Sequence, residues 1–200
     1  MNPQICDRCG YLLQRPLVCD ECGRQQAFVR QPLFCLTGPS GTGKSTVARL
    51  LLPRLSDRVV VVEQDVLWLP ELSDPAGEHR LFRSTWLRMA AMIGQSGRPV
   101  LLCGTVVPPE LEPLPERELF TAVHYLALTC RPDVLTQRLR ARPAWREWDE
   151  PRIAEMLDYA SWLAASAVTL RPPVALLDTT DRSVETTAQD VCRWLRSRMR

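Results

Sequence analysis

Lysine is almost absent from this chain. Of its 25 basic residues, 24 are arginine and one, Lys44, is lysine. Arginine presents a rigid planar fork and lysine a compact, flexible ammonium, so position 44 is a site that needs the latter. Also missing is any run of about 18 apolar residues, which argues against a membrane span. Met1 to Gly10 show no basic region followed by an apolar stretch, so no secretory leader is read there. A net excess of one charge is missing too. With 25 basic against 23 acidic residues the formal net charge is +2, which offers no bulk attraction to nucleic acid. Lack of both leader and span points to the cytoplasm, where thiols are reduced or metal-bound rather than paired. With 200 residues and 46% apolar content, the chain can bury one substantial core and carry a small appendage.

The eight cysteines are therefore informative. Cys6-Asp7-Arg8-Cys9-Gly10 and Cys19-Asp20-Glu21-Cys22-Gly23 are two CxxCG knuckles. Two pairs of soft thiolates so spaced can close a tetrahedral zinc site. The glycine after each pair permits a tight turn that points amides back at sulfur. A redox CxxC pair and unliganded core cysteines are the competing readings. A small hairpin is expected over 11–18, between the knuckles. The module, residues 1–30, resembles a zinc ribbon. About thirty residues cannot build a sufficient core unaided, so the metal would contribute the folding energy. Arg8, Arg15, Arg24 and Arg30 tilt the module basic, but Asp7, Asp20 and Glu21 dilute that tilt. No row of aromatics is present for stacking on bases. A structural cap or a protein docking site is expected, and nucleic acid is not. Cys35, Cys103, Cys130 and Cys192 read as small core hydrophobes.

Leu33–Thr37 is a short apolar run and reads as a buried strand. Directly after it comes Gly38-Pro39-Ser40-Gly41-Thr42-Gly43-Lys44-Ser45, and from Thr46 the pattern is helical. This is the full GxxxxGK[ST] phosphate loop in its required strand–loop–helix context. Gly38, Gly41 and Gly43 allow successive amides to turn inward into an anion nest. The helix N-terminus adds its positive end to the same spot. Lys44 is expected to reach the β- and γ-phosphates of ATP, and the Ser45 hydroxyl to ligate Mg2+. Ser40, Thr42 and Thr46 complete the expected nucleotide-binding set. A lone lysine leaves none for the NKxD guanine-recognition sequence. No LSGGQ-like transporter signature occurs, and no strand ends in an adjacent Asp-Glu pair.

Over residues 31–200 the chain resembles the nucleoside and nucleotide kinases and their small-molecule kinase relatives. Strands read at 33–37, 59–63, 99–103, 123–129 and 174–178. Helical patterns fall near 44–55, 78–95, 132–142, 151–168 and 183–198. Alternation of this kind implies an α/β fold, a five-stranded parallel sheet covered on both faces. Ligand should lie beyond the carboxyl ends of the strands. The second strand ends in Glu63-Gln64-Asp65. In the kinases this chain resembles, an acid there accepts the substrate hydroxyl proton or holds magnesium. Asp65 is the first candidate and Glu63 the second, a capping or solvent-facing acid being the plain alternative. Trp68 would then wall the acceptor pocket. Phe82, Trp86, Met89 and Ile93 recur at helical spacing. Arg80 and Arg83 lie off that stripe and can reach an acceptor. His79 reads as a surface or capping residue.

Between Arg131 and Arg146 stand five arginines, at 131, 138, 140, 142 and 146, against Asp133 alone. Arg138 and Arg142 are four apart, hence on one helical face. Like charges so placed cost about 0.2–0.5 kcal/mol unless an anion lies between them. Pro143 then breaks the helix. The stretch near 138–150 resembles the lid of nucleotide kinases, with Arg142 and Arg146 as lid candidates and Arg138 third. A solvated basic face is the alternative. In similar kinases the loop after Asp178 packs beside the adenine. The third strand, unlike that of most nucleotide kinases, carries no acid. The resulting expectation is an ATP- and Mg2+-dependent kinase acting on a small-molecule acceptor, a nucleoside or nucleoside monophosphate first and other hydroxyl compounds next. Its rivals are a partner-regulated ATPase switch docking through the zinc ribbon and a kinase acting on nucleic-acid ends. Near-neutral charge disfavours the last.

Overall fold

Each of the five apolar runs becomes one strand of a single parallel sheet. In the computed structural model, which describes residues 5–14 and 17–199, β1 (Leu33–Thr37) leads into α1 (Lys44–Leu55) and β2 (Val60–Glu63). Then come α2 (Arg80–Gly94), β3 (Val100–Cys103), a short α3 (Pro108–Leu111) and β4 (Val123–Thr129). The chain ends with α4 (Pro132–Arg140), α5 (Glu150–Ser166), β5 (Val174–Asp178) and α6 (Val184–Arg196). The strand order is β2-β3-β1-β4-β5, with every pairing parallel. These bounds match the apolar runs closely, because strands buried on both faces read as continuous apolar stretches.

Side-chain alternation sorts the core into two layers. Leu33 and Cys35 of β1, Val100 and Leu102 of β3, and Tyr125 and Ala127 of β4 face one side, where Trp86 and Leu87 of α2 and Leu163 of α5 cover them. Phe34, Leu36, Leu101, Cys103, Leu126 and Leu128 face the other, under Val47 and Leu51 of α1 and Val191 and Leu195 of α6. A period of two on the strands thus meets helices above and below. Cys35, Cys103 and Cys192 are buried and Cys130 is half-buried, as core cysteines should be. No described helix is long and apolar enough to cross a membrane.

The N-terminal module departs from expectation in one respect. Among the described residues the pairing runs across each knuckle, as the isolated antiparallel bridges Ile5↔Leu12 and Val18↔Gln25, and not between the knuckles over 11–18. The cause is local. Gly10 (φ 71°) and Gly23 (φ 67°) reverse the chain just after each cysteine pair. The Cys6 amide then donates to the Tyr11 carbonyl at 2.9 Å, and the Cys19 amide to that of Arg24 at 3.0 Å. Arg15 and Pro16, the middle of the expected hairpin, lie outside the described residues. Phe28 packs against the core layer under α2. The Gln95 carboxamide clasps Val29, donating to its carbonyl at 2.8 Å and accepting from its amide at 3.2 Å.

Leu101, central in β3, is fully buried beneath α1 and α6. Replacing it with alanine should lower unfolding stability by about 2–5 kcal/mol, measured by urea denaturation.

Candidate active site

The phosphate loop leaves β1 at the carboxyl edge of the sheet. Gly38 takes φ 120°, and a Cβ there would lie 2.2 Å from the Leu128 carbonyl oxygen of β4. No other residue fits that approach. Gly43 (φ 98°) precedes α1, so the loop amides and the helix N-terminus meet at one point. Lys44 folds back over the loop, its Nζ donating to the carbonyls of Gly38 at 2.6 Å and Pro39 at 3.0 Å. Burial pushes the Lys44 pKa down to about 8, with the Asp65 carboxylate pulling the other way. The Thr42 hydroxyl braces the turn by donating to Pro39 O at 2.8 Å. The Ser40 amide points at the Met156 sulfur of α5, 3.2 Å away.

The two acids after β2 serve different neighbours. The Glu63 carboxylate accepts a hydrogen bond from the Ser45 hydroxyl at 3.1 Å. Burial raises its pKa, partly offset by that bond. Asp65 is exposed instead to a cavity of about 540 Å³ on the α2 side. The turn carrying it is anchored from behind, because the buried Trp86 indole N–H donates to the Gln64 carbonyl at 3.0 Å. An aromatic wall closes the cavity. The Trp68 ring stands 4.8 Å from Phe82 and 4.9 Å from His79. Arg83 lines it as well, already paired with Glu110.

Across the cavity lies the segment from Arg142 to Arg152. Arg142 and Arg152 both lie over the Trp148 ring, at 5.2 and 4.4 Å, and Arg146 over Trp145 at 4.5 Å. Arg152 also donates to the carbonyls of Arg146 (2.9 Å) and Glu147 (3.1 Å), which holds the loop in shape. Arg146 and Arg152 line the cavity. Burial lowers the Arg142 pKa, and the charges of Arg146 and Arg152 lower it further. Cations are crowded here, and an incoming anion would relieve them.

A family model described as an AAA domain matches residues 35–158. A shikimate kinase of Geobacter sulfurreducens is 30% identical over 169 residues, which cover 80% of this chain and 89% of the relative. The chain belongs to the P-loop small-molecule kinases. Solved structures share the fold. A sugar kinase from Janibacter sp. HTCC2649 superposes with a TM-score of 0.61 at 17% identity, over 86% of this chain and 97% of that one. A gluconokinase from Sinorhizobium meliloti 1021 gives 0.57 at 17% identity, over 84% and 94%. For a kinase of this family ATP and Mg2+ are the implied cofactors.

In this kinase Arg138 and Arg142 do not share a helical face. Helix α4 ends at Arg140, since Pro143 cannot continue it and Ala141 already takes the terminal position. Arg138 turns the other way and donates to the Thr179 hydroxyl (3.2 Å) and carbonyl (3.0 Å). There it lines a smaller cavity of about 250 Å³ with Gly41, Gly43 and Thr46 of the phosphate loop and Thr179 after β5. Arg138, expected among the nucleotide-binding residues, is therefore placed beside the phosphate loop. Arg80 does not line the 540 Å³ cavity, whereas Arg83 does. His79 stands just ahead of α2 with φ 58°, the capping position expected of it, but it also faces the cavity. Arg152 belongs to no motif that the sequence displays. Its one signal is the spacing Trp148–Arg152, four residues apart at a helix start, which stacks a guanidinium on an indole.

In the N-terminal module the Sγ atoms of Cys6, Cys9, Cys19 and Cys22 lie within 4.8 Å of one another. Cys6 and Cys22 approach to 3.6 Å, as do Cys9 and Cys19. These separations far exceed a disulfide's ~2.05 Å and match the ~3.8 Å edge of a tetrahedron built on Zn–S bonds of ~2.3 Å. The Cys9 amide holds the Cys6 thiol down to about 6, against desolvation. The four thiols form a donor set that could hold a metal ion.

Proton linkage at Lys44 yields a prediction. Its pKa is about 8 without nucleotide, and phosphate oxygens beside it would raise that value. Between the two values the complex carries more protons than the free kinase, so binding takes up a proton. ADP affinity should hold below pH 8 and fall above it, by at most about tenfold per pH unit. Calorimetric titrations at pH 7 and 9, in buffers of different ionisation heat, would detect both the weakening and the proton uptake.

Proposed function

We propose that this kinase transfers the γ-phosphoryl group of Mg-ATP to a hydroxyl of a small anionic acceptor seated in the 540 Å³ cavity. The observation that carries the reading is the division of labour between Glu63 and Asp65. Glu63 meets the Ser45 hydroxyl on the metal side, while Asp65 opens onto the cavity. In this scheme Lys44 and the loop amides of Gly38, Ser40, Gly41, Thr42 and Gly43 hold the phosphates. Ser45 ligates Mg2+, with Glu63 supplying through that ion the acid that the third strand lacks. Asp65 accepts or orients the acceptor proton. Arg142, Arg146 and Arg152 form the lid, and Arg138 with Thr46 borders the nucleotide. Phosphoryl transfer needs little beyond such positioning and charge.

Arg146 and Arg152 against Asp65 make the cavity rim cationic, Arg83 being neutralised by Glu110, and this favours an acceptor bearing a carboxylate or phosphate. The relative named for shikimate, a hydroxylated carboxylic acid, supports the same class. Nucleosides and nucleoside monophosphates, the acceptors first suggested by the sequence, remain arms of the test. The four-cysteine module is assigned zinc, because four thiolates at tetrahedral spacing are its preferred donors. Exposed apolar side chains on that module, Ile5, Leu12, Val18 and Val29, favour a second reading in which a protein docks there and regulates ATP turnover.

ADP release from Mg-ATP across hydroxy acids, sugars, nucleosides and nucleotides tests the main reading. An accepted compound should accelerate ADP release. Asp65→Asn should reduce that gain by about 10²–10⁴-fold, and Lys44→Ala by at least about a hundredfold. Turnover that no small molecule accelerates would move the assignment to the partner-regulated ATPase. For the metal, purified protein should contain stoichiometric zinc, and Cys9→Ser should lose it together with the melting transition of the module. Four freely titrating thiols in a metal-free preparation would refute the zinc assignment.

A further inference from the structure

Asp65 stands in a turn that has little of its own to hold it. Gln64–Leu67 is a single turn of 3-10 helix, and Glu63 ahead of it makes no side-chain capping bond. The Trp68 amide closes the turn by donating to the Asp65 carbonyl at 3.1 Å. So short a turn is marginal by itself, since few hydrogen bonds offset the ordering of several dihedrals. Two distant contacts converge on Gln64 instead. The buried Trp86 indole N–H donates to the Gln64 carbonyl at 3.0 Å. The Glu63↔Cys103 pair ends the β2–β3 ladder, so Gln64 meets Gly104 just beyond it. A Cβ at 104 would lie 2.2 Å from Gln64 Cδ and 2.6 Å from Cγ, so glycine leaves room for this side chain. Gly104 is in turn tied to β1, its amide donating to the Leu36 carbonyl at 3.1 Å, just ahead of the phosphate loop. Gln64 is 7% exposed, and its Oε1 has no donor among the described residues. Packing, and not a bond to that oxygen, seats the carboxamide.

We propose that Gln64 is a positioning residue for phosphoryl transfer, whose side chain, packed on Gly104, fixes Asp65 relative to the phosphate loop. This inference rests on the reading that Asp65 serves the acceptor hydroxyl. The contacts run from β1 through Gly104 to Gln64 and so to Asp65. The strand that delivers the phosphate loop therefore also sets the acid. Misplacing a reacting group by about 1 Å can cost about a hundredfold in rate. Volume, not polarity, is what the seat requires. An unbranched apolar side chain of similar length would serve as well, because the buried oxygen makes no bond to lose. A short side chain would leave a void into which the turn can relax.

The test measures ADP release at saturating Mg-ATP with shikimate as acceptor, or with the fastest compound of the panel above if shikimate is not accepted. Gln64→Met, the conservative variant, should keep kcat within about threefold of wild type. Gln64→Ala, which empties the seat, and Gly104→Ala, which fills it, should each lower kcat by about 10–100-fold. The Kd for ADP should stay at the wild-type value in all three, which a general loss of structure would not allow. In the double variant Gln64→Ala/Gly104→Ala the new methyl takes space that the carboxamide gave up, and kcat should recover above that of Gly104→Ala. Hydrogen exchange reads the turn without an acceptor. The Trp68 amide should exchange faster in Gln64→Ala than in wild type, and at the wild-type rate in Gln64→Met. Wild-type kcat in the alanine variants, or an unchanged Trp68 exchange rate in Gln64→Ala, would overturn the proposal and leave the kinase reading standing. Equal losses in Gln64→Met and Gln64→Ala would overturn it too, by placing the role in the carboxamide. Should one alanine variant fail to fold, the other against Gln64→Met decides. Turnover that Asp65→Asn does not change would instead remove the role of Asp65, and this proposal with it.

Discussion

Strand β1 is hydrogen-bonded along both edges, to β3 from Leu33↔Val100 to Leu36↔Cys103 and to β4 from Leu33↔Val123 to Thr37↔Ala127. Because all of these pairings are parallel, the strands end on one side of the sheet. The phosphate loop after Thr37, the acidic turn after Glu63 and the glycine after Cys103 are thereby delivered to the same edge. Register matters as much as direction. A slip by one residue would exchange the two core layers and carry Gly38 away from the Leu128 carbonyl, which only glycine can approach. The chemistry of the site depends on this backbone ladder before it depends on any side chain.

Charge is distributed around that edge in an unbalanced way. Lys44 is held where burial lowers its pKa, and Arg142 is lowered by burial and by its own arginine neighbours. Neither group is at its most stable without an anion. Tryptophan faces offset part of the strain by accepting the guanidiniums, Trp148 between Arg142 and Arg152 and Trp145 under Arg146. A segment held by such contacts can be reordered by phosphate at modest cost. Lid closure in the proposed kinase reaction would exclude water by that route. In the proposed reaction Glu63 and Asp65, two residues apart, would divide the metal side from the acceptor side.

The N-terminal module obeys a different logic. Its described core is three buried residues, Cys6, Leu13 and Cys19, with Cys22 packed on them. So small a cluster cannot offset the entropy of ordering the segment. In the proposed zinc ribbon the metal supplies the deficit. Phe28 and the Gln95–Val29 clasp tie the module to the α2 face of the kinase domain. It sits behind the layer that carries Trp86, the residue anchoring the Gln64–Asp65 turn.

By itself the sequence determined the elements and the phosphate loop. Apolar runs of strand length, helical stripes and a glycine pattern are local signals, and they stand within a few residues of the observed bounds. The paired CxxCG knuckles are equally local, and the four thiols do converge. Only the tertiary structure decided which arginine meets which cavity. Arg138 and Arg142 look like one helical face until α4 ends at Arg140, leaving Arg138 on Thr179 and Arg142 over Trp148. Arg152 stacks on its near neighbour Trp148, but which cavity it borders depends on how that loop packs on the rest of the fold. Gln64 gains its place through contact with Gly104, forty residues on. The reason is physical. Backbone preference acts over a few residues and is written in composition and period, whereas a cavity is made by side chains from distant segments whose meeting depends on the completed sheet.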